Sequence, residues 1–129
     1  IGPRDLENGT VEVARRDTKE KAVYQMTDLH IKIEHLLEQI QDNIYRKALD
    51  LREEKTYRAD TWDEFMDILD NKGGFIYAHW DGTTETEVKI KELSKATIRC
   101  IPLDNQPEDG KCILTGNPSG QRVLFARAY

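Results

Sequence analysis

Two cysteines, three histidines and one short basic run are the residues through which this chain could do chemistry. Cys100 and Cys112 alone cannot make the four-ligand sulfur and nitrogen cage of a structural zinc. His30 and His35 are five positions apart in a helical pattern and so do not share a face; a helical zinc pair stands four apart. His79 stands two positions before Asp81, but one Cys, one His and one Asp scattered in this way are not a zinc pattern. Cys100 lies beside Ile98 and Ile101 and reads as a small buried hydrophobe. A reactive thiol would need a basic neighbour and access to solvent. Arg15, Arg16, Lys19 and Lys21 cluster at the end of a β-prone segment. Such residues can grip phosphates, and an arginine can fork onto a guanine edge. Asp17 and Glu20 interleave with them, so a solvated strand end accounts for the same residues. There is no phosphate-cradling glycine pattern, and no Ser-His-Asp or paired-carboxylate arrangement is supported by spacing.

The elements that must position these residues follow from periodicity. Gly2-Pro3 and Asn8-Gly9 are turn chemistry, and Thr10 to Ala14 alternates as a strand does. Residues 18–26 are polar and read as a linker, which leaves that first strand without a partner. From Thr27 to Glu54, Leu29, Ile33, Leu36, Leu37, Ile40, Ile44, Ala48 and Leu51 recur at three- and four-residue steps, predicting one long helix whose apolar stripe must pack on something. Thr61-Trp62-Asp63-Glu64 is a capping box that opens a helix ending at Asn71-Lys72-Gly73-Gly74. Phe75–Trp80 reads as a strand. Thr84-Glu85-Thr86-Glu87 reads as a second capping box, opening a helix to Ser94, and Ala96–Ile101 as the next strand. A strand–helix–strand run at this spacing is a βαβ crossover, so its two strands should be parallel. Lys111–Leu114 and Arg122–Arg127 add two strands, with a turn at 117–120. The expected fold is α/β: a small mixed sheet from 75–80, 96–101, 111–114 and 122–127, covered by one long and two shorter helices. Trp62, Phe65, Phe75 and Trp80 are assigned to its core.

A length of 129 residues suits one ordinary domain, or one domain plus part of another. The chain opens on Ile1 in mid-pattern rather than on Met, which reads as a piece of a longer protein. The net charge of −5 argues against a general nucleic-acid binder. Charge is uneven: residues 60–94 carry nine acids against three bases, a net of −6, whereas residues 95–129 carry five bases against three acids, a net of +2. The acids in the middle read as the wet faces of two helices. No run of eighteen apolar residues could span a membrane, no signal peptide is visible, and two cysteines fit a reducing cytoplasm.

One resemblance gathers most of the chain. Lys72 to Gly82 with its Phe75-Ile76-Tyr77-Ala78-His79-Trp80 strand, then Lys95 to Pro102, then Gly110-Lys111-Cys112, then Arg122-Val123-Leu124-Phe125-Ala126-Arg127-Ala128-Tyr129, stand in an order that resembles the C-terminal domain of prolyl-tRNA synthetases of the archaeal and eukaryotic type, a branch that also includes some bacteria. Ile1 to Gly9 with Val13-Ala14-Arg15-Arg16-Asp17 looks like the end of the preceding anticodon-binding domain. The implied division is 1–17 from that domain, 18–26 linker, and 27–129 the C-terminal domain.

The resemblance implies a role in joining proline to its tRNA, with ATP and magnesium used by the catalytic part of the enzyme and no cofactor in this stretch. It implies support of that enzyme by docking on its catalytic and anticodon-binding domains, a homodimeric parent, and minor tRNA contacts through Arg15, Arg16, Lys19 and Lys21. It places the terminal carboxylate of Tyr129 toward the catalytic pocket. Members of this family often hold a zinc with four cysteines, at positions that correspond here to Asp81, Thr86, Cys112 and Thr115; three of the four thiols are absent. Hydrogen bonding by Asp81, Thr83 and Thr84 at the start of the 84–94 helix is expected instead. The competing reading is a free-standing interaction module built on the long amphipathic helix, with no tRNA role.

Overall fold

A computed structural model describes residues 1–128; Tyr129, assigned above to a docking role, lies outside the described residues. The chain forms two compact units, one spanning Ile1–Asp50 and a second beginning at Leu51.

In the first unit the two N-terminal turns prove to be the ends of a short helix, α1 (Pro3–Asn8). Pro3 occupies its first position, where a missing N–H costs nothing, and Gly9 closes it in the left-handed region at φ 63°. Strand β1 (Thr10–Ala14) follows as expected, but the segment read as a linker holds its partner, β2 (Lys21–Gln25). The two are antiparallel, in a register that sets Val11 opposite Tyr24 and Ala14 opposite Lys21. The strand escaped sequence reading because four of its five residues are exposed, so no inward-facing apolar rhythm marks it. A 3-10 turn at Met26–Asp28 leads into helix α2 (Leu29–Glu54). Of its apolar stripe Leu36 is buried, whereas Leu37 and Ile44 are 61% and 53% exposed within this chain.

The second unit is a four-stranded sheet of β3 (Thr56–Ala59), β4 (Phe75–His79), β5 (Ala96–Cys100) and β8 (Arg122–Arg127), in the order β3-β4-β8-β5. Strand β3 was not foreseen. It pairs in parallel with β4 through helix α3 (Trp62–Asp67), which is extended by a π turn at Ile68–Lys72. Gly74, at φ 103°, lets the chain enter β4 where a Cβ would stand 2.2 Å from the Lys55 carbonyl oxygen. Helix α4 (Thr84–Ser94) crosses from β4 to β5, and these two strands do run in the same direction. They are not neighbours, because β8 inserts antiparallel to both.

Residues 111–114 do not join this sheet. Only Gly110–Lys111 is extended, as β6, and it pairs with β7 (Pro118–Ser119), where a turn was expected; Cys112 to Asn117 form the turn instead. The core brings Phe65, Ile68 and Leu69 together with Ile76, Ala78, Ile90, Ile113, Val123 and Phe125. Trp62 and Trp80 are half-buried against its margin, and Phe75 is half-buried outside it. Cys100 is exposed rather than buried: the pairing of β5 with β8 shifts between Ile98 and Cys100, and this irregularity breaks the alternation that would have turned the thiol inward.

Candidate functional site

The loop between β4 and α4 carries the densest cluster of polar contacts. Thr83, not Thr84, is the N-cap of α4, and its hydroxyl accepts from the Thr86 amide at 3.3 Å. Asp81 sits at the centre. Its Oδ1 accepts from the Thr83 amide at 3.2 Å and the Thr83 hydroxyl at 2.9 Å. Its Oδ2 accepts from the Thr86 hydroxyl at 2.9 Å, the Thr115 hydroxyl at 2.9 Å and the Asn117 side-chain amide at 3.2 Å. Cys112 joins through the backbone, its amide donating to the Asn117 carbonyl at 2.8 Å. Its side chain is buried.

Desolvation alone would push the Asp81 carboxyl up, but the hydrogen bonds from Thr115, Thr83 and Thr86 outweigh it and hold the carboxyl at about 2, below its ordinary 3.8. A carboxyl depressed on folding contributes stability that is fully present above its unfolded value and lost as pH falls through its folded value. The Asp81 contribution should therefore disappear between about pH 4 and pH 2. Acid titration of Asp81→Asn should lack that component, which a comparison of unfolding free energies across the window would measure.

A second polar cluster lies in the same unit, around the start of β8. Arg122, at the start of β8, is only 7% exposed. Its Nε donates to both Glu108 carboxylate oxygens at 3.0 and 3.1 Å, and one terminal nitrogen donates to the Ala59 carbonyl at 3.1 Å. The other contacts Asp60 and, at 3.0 Å, Glu108. The Arg122 guanidinium holds both the Asp60 and Glu108 carboxyls below the usual range. His79 is buried beside them, its Nε2 3.8 Å from Glu108. The Ser119 hydroxyl donates its one proton to the Gln121 carbonyl, so His79 Nδ1, 3.1 Å away, is the donor of that pair. The imidazole lies so close to Gly110 that a Cβ there would meet Nε2 at 2.2 Å. Sequence reading passed over Arg122, Glu108 and Asp60, which lie far apart in the chain; the only local signal is a cation opening the apolar strand Arg-Val-Leu-Phe-Ala-Arg.

The basic run of the first unit separates into two kinds. Arg15 is committed internally: it donates to Asp17 at 3.1 and 2.8 Å and to Gln39 at 3.1 Å. Asn43 adds a bond to Asp17, and the Arg15 guanidinium holds that carboxyl far below its usual range. Lys21 pairs with Glu12 at 2.9 Å across the hairpin. Arg16 and Lys19 lie exposed in the turn joining the strands, and neither forms an ion pair among the described residues. Lys19 takes a left-handed φ of 68° there.

The family profile described as "Prolyl-tRNA synthetase, C-terminal" matches residues 62–129. The whole chain is similar to the proline–tRNA ligases of Cytophaga hutchinsonii, at 62% identity over 129 residues, of Christiangramia forsetii, at 55%, and of Flavobacterium johnsoniae, at 54%. In each case the alignment covers 100% of this chain and 26% of the relative, so the chain spans about a quarter of the length of the curated relatives it matches.

Proposed function

The chain belongs to the prolyl-tRNA synthetase C-terminal family, and from that premise we propose that it is the closing portion of a proline–tRNA ligase. The supporting observation is the likeness to such ligases along the whole chain, including the first 61 residues that lie outside the family profile. In this reading the complete enzyme uses ATP and magnesium to activate proline, works in the cytoplasm as a homodimer built on its catalytic domain, and transfers proline to its tRNA. The stretch described here supplies support, docking and a small share of the tRNA contact. The archaeal and eukaryotic type is part of the proposal and is carried by the ordered segments ending at Tyr129; the named relatives are bacterial. Among the described residues no helix is long and apolar enough to cross a membrane. The exposed Leu37 and Ile44 on α2 are what the interaction-module reading rests on; as part of a ligase, other parts of the same polypeptide are available to cover them.

Two tests follow from distinct residues. Tyr129 closes the sequence two residues after β8. An aromatic ring with a terminal carboxylate offers an apolar anchor and an anionic tip for an arginine or a backbone amide. Deleting Tyr129 from the complete ligase should slow proline-dependent pyrophosphate exchange at least about tenfold, or ~1.4 kcal/mol of transition-state stabilisation, without changing the melting temperature. Unaltered kinetics would remove the docking role. The chain by itself should catalyse no such exchange.

For tRNA, Arg16 and Lys19 are the available contacts. Arg16→Ala with Lys19→Ala should weaken binding and lower the slope of log affinity against log salt by about 1–2, one phosphate per side chain. Arg15→Ala should instead lower stability, because it frees Asp17 and Gln39 rather than a phosphate. An unchanged salt slope in the double variant would return these residues to a solvated turn.

A further inference from the structure

The four positions that correspond to a zinc set in this family do not fit the metal here. They offer one thiol, one carboxylate and two threonine hydroxyls, whereas structural zinc takes four Cys or His ligands. Among the described residues no three His, Cys, Asp or Glu side chains converge on one point. The Asp81 oxygens that could face a cation are already occupied, accepting five hydrogen bonds from Thr83, Thr86, Thr115 and Asn117.

Even so, three of the four positions meet. Thr86 and Thr115 both donate to the same oxygen, Asp81 Oδ2. The fourth, Cys112, is held one backbone bond away through Asn117, whose side chain also reaches Oδ2. The segments so joined are the start of α4 with Asp81 just before it and the turn between β6 and β7, whose Thr115 stands thirty-four residues from Asp81. Neither segment has regular pairing with the other, and a two-residue ribbon such as β6-β7 does not stand alone in water. Its turn is tied to β4 by the Ile113 amide, which donates to the His79 carbonyl at 3.1 Å, and by Ile113 in the core, whereas the polar side chains of the turn converge on Asp81. We infer that the Asp81 carboxylate is a metal-free clamp that fastens the β6-β7 turn to α4, using three of the four positions of a structural metal site with an anion and its donors in place of a cation and its thiolates.

The chemistry inverts cleanly. A zinc ion collects four anionic or lone-pair donors around a positive centre. Asp81 collects hydroxyl and amide N–H donors around a negative one, and charge-assisted bonds of this kind are the stronger class. Thr86 is buried, so removing its acceptor leaves its hydroxyl with the Thr83 hydroxyl, 2.9 Å away, as its remaining side-chain partner. The inference relies on the family for the four positions and not on the ligase activity; its test reads metal content and melting, so it fails or stands apart from the function proposed above.

Three measurements on the protein decide it. Elemental analysis after purification without chelator should find far less than one zinc per chain, and EDTA should leave the melting temperature unchanged. Asp81→Asn presents an NH₂ to donors that need an acceptor and should lower the melting temperature by about 5 °C or more. Thr115→Val, nearly isosteric, should lower it by a smaller amount, and Thr115→Ser should restore it. This pair keeps the test decisive where Asp81→Asn fails to fold. Finally, the triple change Asp81→Cys, Thr86→Cys and Thr115→Cys joins three thiols to Cys112. It should bind one zinc and melt at a temperature that zinc raises and EDTA lowers. About one zinc per wild-type chain, Thr115→Val melting like wild type, or a triple variant indifferent to zinc would each overturn the clamp.

Discussion

Phe125→Ala is expected to lower the stability of the sheet unit by about 3–5 kcal/mol. Phe125 is fully buried in β8, the strand that holds the sheet together by pairing with β4 on one side and β5 on the other. It stands opposite Ile76 in β4 and Ile98 in β5. Its ring meets Phe65 edge-on, with centroids 5.3 Å apart and planes at 83°, and Phe65 in turn stacks on Trp62 at 5.5 Å. Truncation therefore removes the transfer free energy of a buried ring, the edge-to-face contact with α3, and the packing between helix and sheet that orders α3. The site cannot collapse easily, because β8 is pinned by hydrogen bonds along both edges. Phe125→Leu, which leaves a smaller hole, should lose clearly less. Urea unfolding would measure both; a loss under about 1 kcal/mol for Phe125→Ala would mean that the unit is not centred on β8.

The sequence was most readable where local chemistry marks an element's ends. Helix α4 is legible from its polar start, although the cap falls at Thr83 and not at Thr84, and the α3 capping box at Thr61 and Glu64 forms as expected, with the Glu64 side chain accepting from the Thr61 amide at 3.3 Å. Strands β4 and β8 announced themselves as apolar runs bounded by Gly and Asp or Gly and Gln. Strand β3 did not, because Thr-Tyr-Arg-Ala continues straight from a charged helix end with no turn residue between them. The β4–α4–β5 crossover had the right direction, but the insertion of β8 between its strands is a decision of the whole sheet. No residue in 75–100 records it.

The candidate site divides in the same way. Asp81 and Thr83 were legible as capping residues of a helix start. Thr115 and Asn117 became their partners only through the fold, since a hydroxyl thirty-four positions away leaves no local trace. The basic run was legible as a group, but its division was not: Arg15 has the same charge as Arg16, and only the positions of Asp17, Gln39 and Asn43 show that it is already bound.

Arg122→Met should cost about 3 kcal/mol, the lower part of the range for breaking a buried ion pair. The reason for the lower part is exposure: the Glu108 and Asp60 side chains are 39% and 70% exposed and can take up water when the guanidinium goes. The Ala59 carbonyl, in a residue only 1% exposed, cannot do so as readily and is left without its 3.1 Å donor. The change also loosens residues 101–109, which carry no regular structure. They are held at Glu108 by the Arg122 side chain and by a backbone bond to Gly120, and at Asn105 by a bond to the Arg122 carbonyl. Arg122→Lys keeps the charge but not the planar fork that reaches Glu108, Asp60 and Ala59 together, so it should recover only part of the loss. The pH dependence carries a sign that identifies the cause. Asp60 and Glu108 are both held below their ordinary values by Arg122, so the stability they share is present above the normal carboxylate range and lost as pH falls below it. In Arg122→Met that acid-dependent part should shrink, bringing the stabilities of variant and wild type together at low pH. A variant as stable as wild type at neutral pH would show that apolar packing serves this corner equally well, and the ion network would no longer explain what holds the 101–109 loop against the sheet.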